Sequence, residues 1–93
     1  MMYVKFHENV VAICDKELVG KVFEDEKRCL NISERFYLGE LKNKNEVLDI
    51  MRNAENMNLV GKETISLALK EGLINEDEVI TIAGVPHGQI YNF

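Results

Sequence analysis

Residues 2–15, MYVKFHENVVAICD, set two β-strand signatures back to back. Met2, Val4 and Phe6 alternate with Tyr3, Lys5 and His7, the period of two expected of a strand with one buried face. Glu8 and Asn9 offer a tight turn. Val10 to Cys14 is then an unbroken apolar run rich in β-branched residues, which marks a strand covered on both faces. The pair reads as a hairpin whose second strand is central, so the remaining chain must supply material for two sides of a sheet.

Immediately downstream, Asp15 is placed to N-cap one helical turn through Glu17 and Leu18, which Gly20 closes in the left-handed region. Val22 and Phe23 start a short strand, the charged stretch Glu24 to Arg28 reads as a solvated turn, and Leu30 and Ile32 alternate with Cys29 and Asn31 in another strand. Ser33 caps a brief turn, SERFYL, stopped by Gly39, and a polar linker follows. Asn43 and Glu46 have capping-box spacing, and Val47, Met51 and Ala54 share one side of a helix running to about Asn56. MNLVG then links it to a second helix, Lys62 to Glu71, apolar nearly all round its middle. Gly72 and Leu73 fit a left-handed residue followed by an apolar one packing back on the last turn.

The segment EVITIA, Glu78 to Ala83, predicts an interior strand. GVPHGQ, the segment with the chain's single proline, reads as a loop, with a last strand over Gln89 to Phe93. The expected fold is therefore one α+β domain over residues 1–93: a small, mostly antiparallel sheet of about five strands with two main helices packed on it. The first hairpin and EVITIA should form the middle.

Composition narrows the function classes. The chain has 93 residues, 46% hydrophobic and 29% charged, which is ordinary for a folded protein and far from the signature of disorder. A chain this short buries roughly 60 to 65% of its unfolded surface, so its stability is modest and dimerisation is the simplest supplement. Eleven basic against sixteen acidic side chains leave a net charge of −5, which argues against direct nucleic-acid binding, since phosphate neutralisation needs a dense basic face. An RNA-binding version would need Lys42, Lys44, Lys62 and Lys70 to converge. Charges interrupt every apolar run before membrane-spanning length and the N-terminus lacks a signal-peptide pattern, so the cytoplasm is the expected compartment.

Two places are equipped for chemistry or contact. In GVPHGQ, glycines let backbone approach a ligand and His87 could transfer a proton near neutral pH; the plainer reading is a tight turn with a solvated histidine. In SERFY, Glu34, Arg35 and Tyr37 crowd hydrogen-bonding groups into one turn, where Arg35 could grip an anion bidentately. The plainer reading has Ser33 capping and Arg35 and Tyr37 on the surface. Cys14, Cys29, His7 and His87 lack the short spacings of a zinc site, so no metal is expected, and both cysteines read as small apolar residues of the sheet. No catalytic motif occurs and no cofactor is called for.

The stretches MYVKFH, CDKELVGK, ISERFYLGE, NLVGKETISLALKEGLI and IAGVPHGQI together resemble an archaeal family of short proteins, the domain of unknown function 424 family. The resemblance covers essentially the whole chain, and its most specific pieces are the SERFY turn and the GVPH loop. The short turn at Glu8 and Asn9 departs from the longer loop expected in some members. The resemblance brings no activity, cofactor or catalytic residue; it implies an archaeal, cytoplasmic, housekeeping protein near the translation apparatus. The leading expectation is a non-enzymatic interaction domain that docks on a protein or ribonucleoprotein partner. The alternative is a small-molecule or anion-binding protein, or an enzyme, whose site joins Glu34, Arg35, Tyr37 and His87.

Overall fold

The turn at Glu8 and Asn9 joins β1 (Met2–Phe6) to β2 (Val11–Asp15) in a computed structural model that describes residues 1–92. The strands run antiparallel with Val4 opposite Ile13. Every residue of β2 after Val11 is buried, as its uninterrupted apolar run dictates. The second neighbour of β2 is β6 (Met57–Val60), and this pairing is parallel. Outward from β6 come β8 (Val85–Ile90) and β7 (Ile80–Ile82); outward from β1 comes β5 (Glu40–Lys42). The resulting order is β5-β1-β2-β6-β8-β7, and a separate two-stranded arm pairs β3 (Val22–Glu24) with β4 (Cys29–Asn31).

The α+β class holds and the sheet is mostly antiparallel as expected, but it is larger than five strands and mixed. Among the described residues there are six strands in the main sheet and two in the arm, with a parallel pair at the centre. MNLVG is not a linker: Met57 to Val60 form a fully buried central strand. EVITIA does not sit in the middle; its strand shrinks to Ile80–Ile82 at the sheet edge, behind a 3₁₀ turn over Glu76–Glu78. GVPHGQ is not a loop, because Val85 to Ile90 run as one strand after a two-residue turn at Ala83 (φ 49°) and Gly84 (φ 84°). Positive φ at both central residues is the hairpin geometry that suits strand twist. Of the expected strand from Gln89 to Phe93, Gln89 and Ile90 belong to β8 and Phe93 lies outside the described residues.

Proline is tolerated inside β8 for a local reason. Pro86 lies one step before His87, which opposes Val60, so it faces Gly61 just past the end of β6. Its carbonyl accepts the Gly61 N–H at 2.9 Å, and its missing N–H falls where β6 has no acceptor left to offer.

Helix α2 (Lys44–Asn53) starts at the expected capping box, with Asn43 Oδ1 accepting from Glu46 N and Glu46 Oε1 from Asn43 N. It ends three residues short of Asn56, since the chain must extend to enter β6. Helix α3 (Lys62–Lys70) ends at Gly72 (φ 69°), with Leu73 N–H returning to the Ala68 carbonyl. Both helices cover one sheet face: Val47, Met51, Ile65, Leu67 and Ala68 pack on Met2, Val4, Ile13, Met57 and Leu59. Each such buried aliphatic side chain contributes roughly 1.5 to 3 kcal/mol.

The other face is covered by the arm and by α1 (Glu34–Tyr37), a single turn capped by Ser33 Oγ on Phe36 N. Leu30, Ile32 and Tyr37 pack there on Ala12, Cys14, Val60, Ile82 and Val85. Cys14 is buried as expected, whereas Cys29 is exposed on the arm, a two-stranded ribbon too narrow to bury both faces. Among the described residues no helix is long and apolar enough to cross a membrane.

Candidate functional site

The two ends of the β2 and β6 pair differ in how they use polar groups. At the carboxyl end, Asp15 does not cap the 3₁₀ turn that follows it, whose first N–H groups receive no side-chain bond. Its carboxylate turns inward to α3, where Oδ2 accepts from Glu63 N (3.0 Å) and Oδ1 from Thr64 N (2.8 Å) and Thr64 Oγ1 (2.7 Å). The residue at the N-cap position, Gly61 (φ 109°), offers no side chain, and a Cβ there would collide with the Asp15 carboxylate. A helix start of this kind attracts anions. Here the chain's own carboxylate takes the place an external anion would need.

At the opposite end, where β2 and β6 begin, three asparagines stitch loops together. Asn56 Nδ2 donates to the Asn9 carbonyl (3.0 Å), Asn56 Oδ1 accepts from Asn92 N (2.8 Å), and Asn92 Nδ2 donates to the Glu55 carbonyl (2.9 Å). These bonds fix the rim of two confluent grooves. One, about 210 Å³, is lined by His7, Glu8, Val11 and the Val10, Glu55 and Asn56 segments; the other, about 670 Å³, adds Phe36, Asn58, Tyr91 and Asn92.

One wall is aromatic. His7 stacks on Phe36 with centroids 4.4 Å apart and planes 16° from parallel, while Nε2 lies 2.8 Å from the Phe36 carbonyl. A carbonyl only accepts, so Nε2 carries the proton. Phe36 meets Tyr37 edge-on at 4.9 Å. The Tyr37 hydroxyl donates to Asn58 Oδ1 at 2.6 Å, and burial, then the neighbouring Cys14 and Tyr91, pushes its pKa up, so the phenol stays a donor. Asn58 is 8% exposed and lines the larger groove. Its Nδ2 donates to no other group among the described residues, and every fully enclosed side-chain nitrogen or oxygen among them is partnered. The free donor therefore opens on the groove.

The four residues singled out from the sequence are dispersed. Glu34 and Arg35 are exposed on α1, which sits over β1 and β2, and the Arg35 carbonyl accepts from Lys5 Nζ. Tyr37 is buried, contrary to the surface reading, because its ring completes the apolar layer on this face. His87 stands on β8 beyond β6, with Nδ1 3.0 Å from the Leu59 carbonyl. Neither Arg35 nor His87 lines either groove.

The model of a family described as protein of unknown function (DUF424) matches residues 4–93. The chain belongs to that family. A crystal structure of an uncharacterized conserved protein from Methanopyrus kandleri is similar to this DUF424 chain at 28% identity and a TM-score of 0.72, over 98% of this chain and 89% of that one. Among curated proteins, none matches the chain.

What the arrangement can do chemically follows from its partners. Both histidines are bonded to main-chain carbonyls, and neither holds a hydroxyl or thiol. The Thr64 hydroxyl is spent on Asp15. Burial, reinforced by Asp15 and Glu17, pushes the Cys14 thiol up to about 12, which keeps it protonated and a poor nucleophile. Among the described residues no three His, Cys, Asp or Glu converge as for a metal ion. The groove, in contrast, offers aromatic faces, amides and carboxylates to a bound group. Sequence reading passed over it because asparagines at positions 9, 56 and 92 look like turn residues and have no shared motif.

Proposed function

We propose that the chain is a docking module without catalytic chemistry, engaging a protein or ribonucleoprotein partner through the end of the sheet where β2 and β6 begin. The observation that carries this reading is the larger groove: a rim held by three asparagines, an aromatic wall, and a nearly buried amide with a donor to spare. Preorganised polar groups beside rings are what recognition surfaces use, because little ordering remains to be done on binding. The anion-site alternative finds less support, since it needs Arg35 and His87 at one concavity. The resemblance to an archaeal family makes the translation apparatus the first place to seek the partner.

The test is photo-cross-linking in cells, with a photoactivatable side chain at Tyr91 in one variant and at Lys27, on the arm, in another. A discrete adduct from position 91 and none from position 27 is expected. Equal yields from both, or no adduct from position 91, would exclude this surface.

A further inference from the structure

Resting on that docking reading, we propose that the groove takes a basic, extended segment of a protein partner, with an arginine or lysine side chain as its anchor. The charge around the opening is one-sided: Glu8 and Glu55 line it, and no Lys or Arg does. Neither carboxylate is in an ion pair among the described residues, although Glu40, Glu46, Glu63 and Glu71 are. The whole chain adds a net charge of −5, which attracts a cationic partner and repels a phosphate backbone.

Beside these charges lie two rings. Tyr91 is 51% exposed and Phe36 half-buried, both on the larger groove. A guanidinium or ammonium placed over such faces gains a cation–π contact on top of its ion pair. The third feature is Asn58: its Nδ2, facing the groove from the sheet, is the donor a main-chain carbonyl requires. Carboxylates, rings and an amide donor at one opening match the two alternating components of an extended basic peptide, its side-chain cation and its backbone oxygen. An unpaired RNA base could use the rings and the amide, but its phosphates would meet Glu8 and Glu55, so the carboxylates favour protein.

The experiment uses the full chain, isotope-labelled for NMR, titrated with a blocked peptide of alternating glycine and arginine, a glycine and glutamine counterpart, and a short single-stranded oligouridylate. The arginine peptide should shift the amides of Asn9, Asn56, Asn58 and Tyr91, and more weakly as salt is raised. Replacing both carboxylates, E8Q with E55Q, should weaken binding about tenfold, while E76Q with D77N, an equal charge change away from the groove, changes it less than about twofold. Both glutamates are exposed, so an unchanged melting curve verifies the fold of the variant.

Arginine-peptide shifts spread over the acidic surface, or indifferent to E8Q with E55Q, would overturn the cation assignment. Groove shifts from the glutamine peptide of equal strength would overturn it too, yet leave the docking surface standing. Tighter binding of the oligouridylate at the groove would replace protein by RNA as the occupant. Silence of the groove toward all three probes would overturn this inference; the cross-linking result then decides the docking reading separately.

Discussion

The two ends of the parallel pair at the sheet centre are made of similar polar residues put to opposite uses. At the carboxyl end, the Asp15 carboxylate accepts from Glu63 N, Thr64 N and Thr64 Oγ1 in the space that Gly61 leaves open, so the first N–H groups of α3 are satisfied from within. At the amino end, the Asn56 and Asn92 side chains bond main-chain groups of Asn9, Asn92 and Glu55 only enough to hold a rim, and Asn58 keeps a donor in reserve. Open α/β sheets place ligands outside the carboxyl ends of their parallel strands. Here Asp15 takes the anion position at the start of α3, and the docking surface proposed above lies at the other end.

The sharpest way to break this contrast is Gly61→Ala. The substitution needs a backbone rarely adopted with a side chain and drives a Cβ into the Asp15 carboxylate. It should cost roughly 3 to 5 kcal/mol, read as a lowered midpoint in chemical denaturation. Asp15→Ala should cost roughly 3 kcal/mol, because it strands the α3 N–H groups and the Thr64 hydroxyl in a buried place. A loss under half a kilocalorie, by the same assay, would mean the carboxyl end is not held as described.

Between the two ends, Tyr37→Phe deletes the buried hydroxyl on Asn58 and should cost roughly 1 to 2 kcal/mol. It also removes the bond that orients the Asn58 amide, so the glycine and arginine peptide should bind more weakly. Tyr91→Ala should lie within about 0.5 kcal/mol of the parent in stability while weakening binding of the glycine and arginine peptide. If it instead unfolded the chain, the amino end would be structural and the contrast would fail.

The smallest effect concerns Asp25, at the arm's turn. Main-chain N–H groups of Lys27 and Arg28, and then of Ala83, bond its carboxylate and hold its pKa below the usual 3.8. A folded pKa below the unfolded one means the contribution is present above the unfolded value and is lost as pH falls through the folded value. NMR titration should find a midpoint under that of a free aspartate; a midpoint at or above it would show the turn bonds absent in solution.

Much of this was legible in the residues and some was not. The hairpin of β1 and β2, the Asn43 capping box, the Ser33 turn and the end of α3 each rest on interactions a few residues apart, which spacing encodes. Met57 to Val60 were not legible, because four apolar residues after an amphipathic helix suit a helix end, a linker or a strand equally. Glu40 to Lys42 carry too little apolar patterning to announce an edge strand. Asp15 was assigned to the adjacent turn because local capping is the readable kind, whereas its bonds reach residues 63 and 64. The groove is likewise a product of topology: position 58 meets position 37 only after β6 has slid in beside β2.

That late arrival has a bearing on how the chain is made. When β1 and β2 leave the ribosome, β2 already has one neighbour but must wait through the arm, α1, β5 and α2 for the other. Meanwhile its outer edge shows open N–H and C=O groups flanked by Ala12, Ile13 and Cys14, a template for a strand of another copy. Distant pairings of this sort also form slowly. Refolding from denaturant should therefore yield less native protein as concentration rises, even though the finished molecule hides that edge completely.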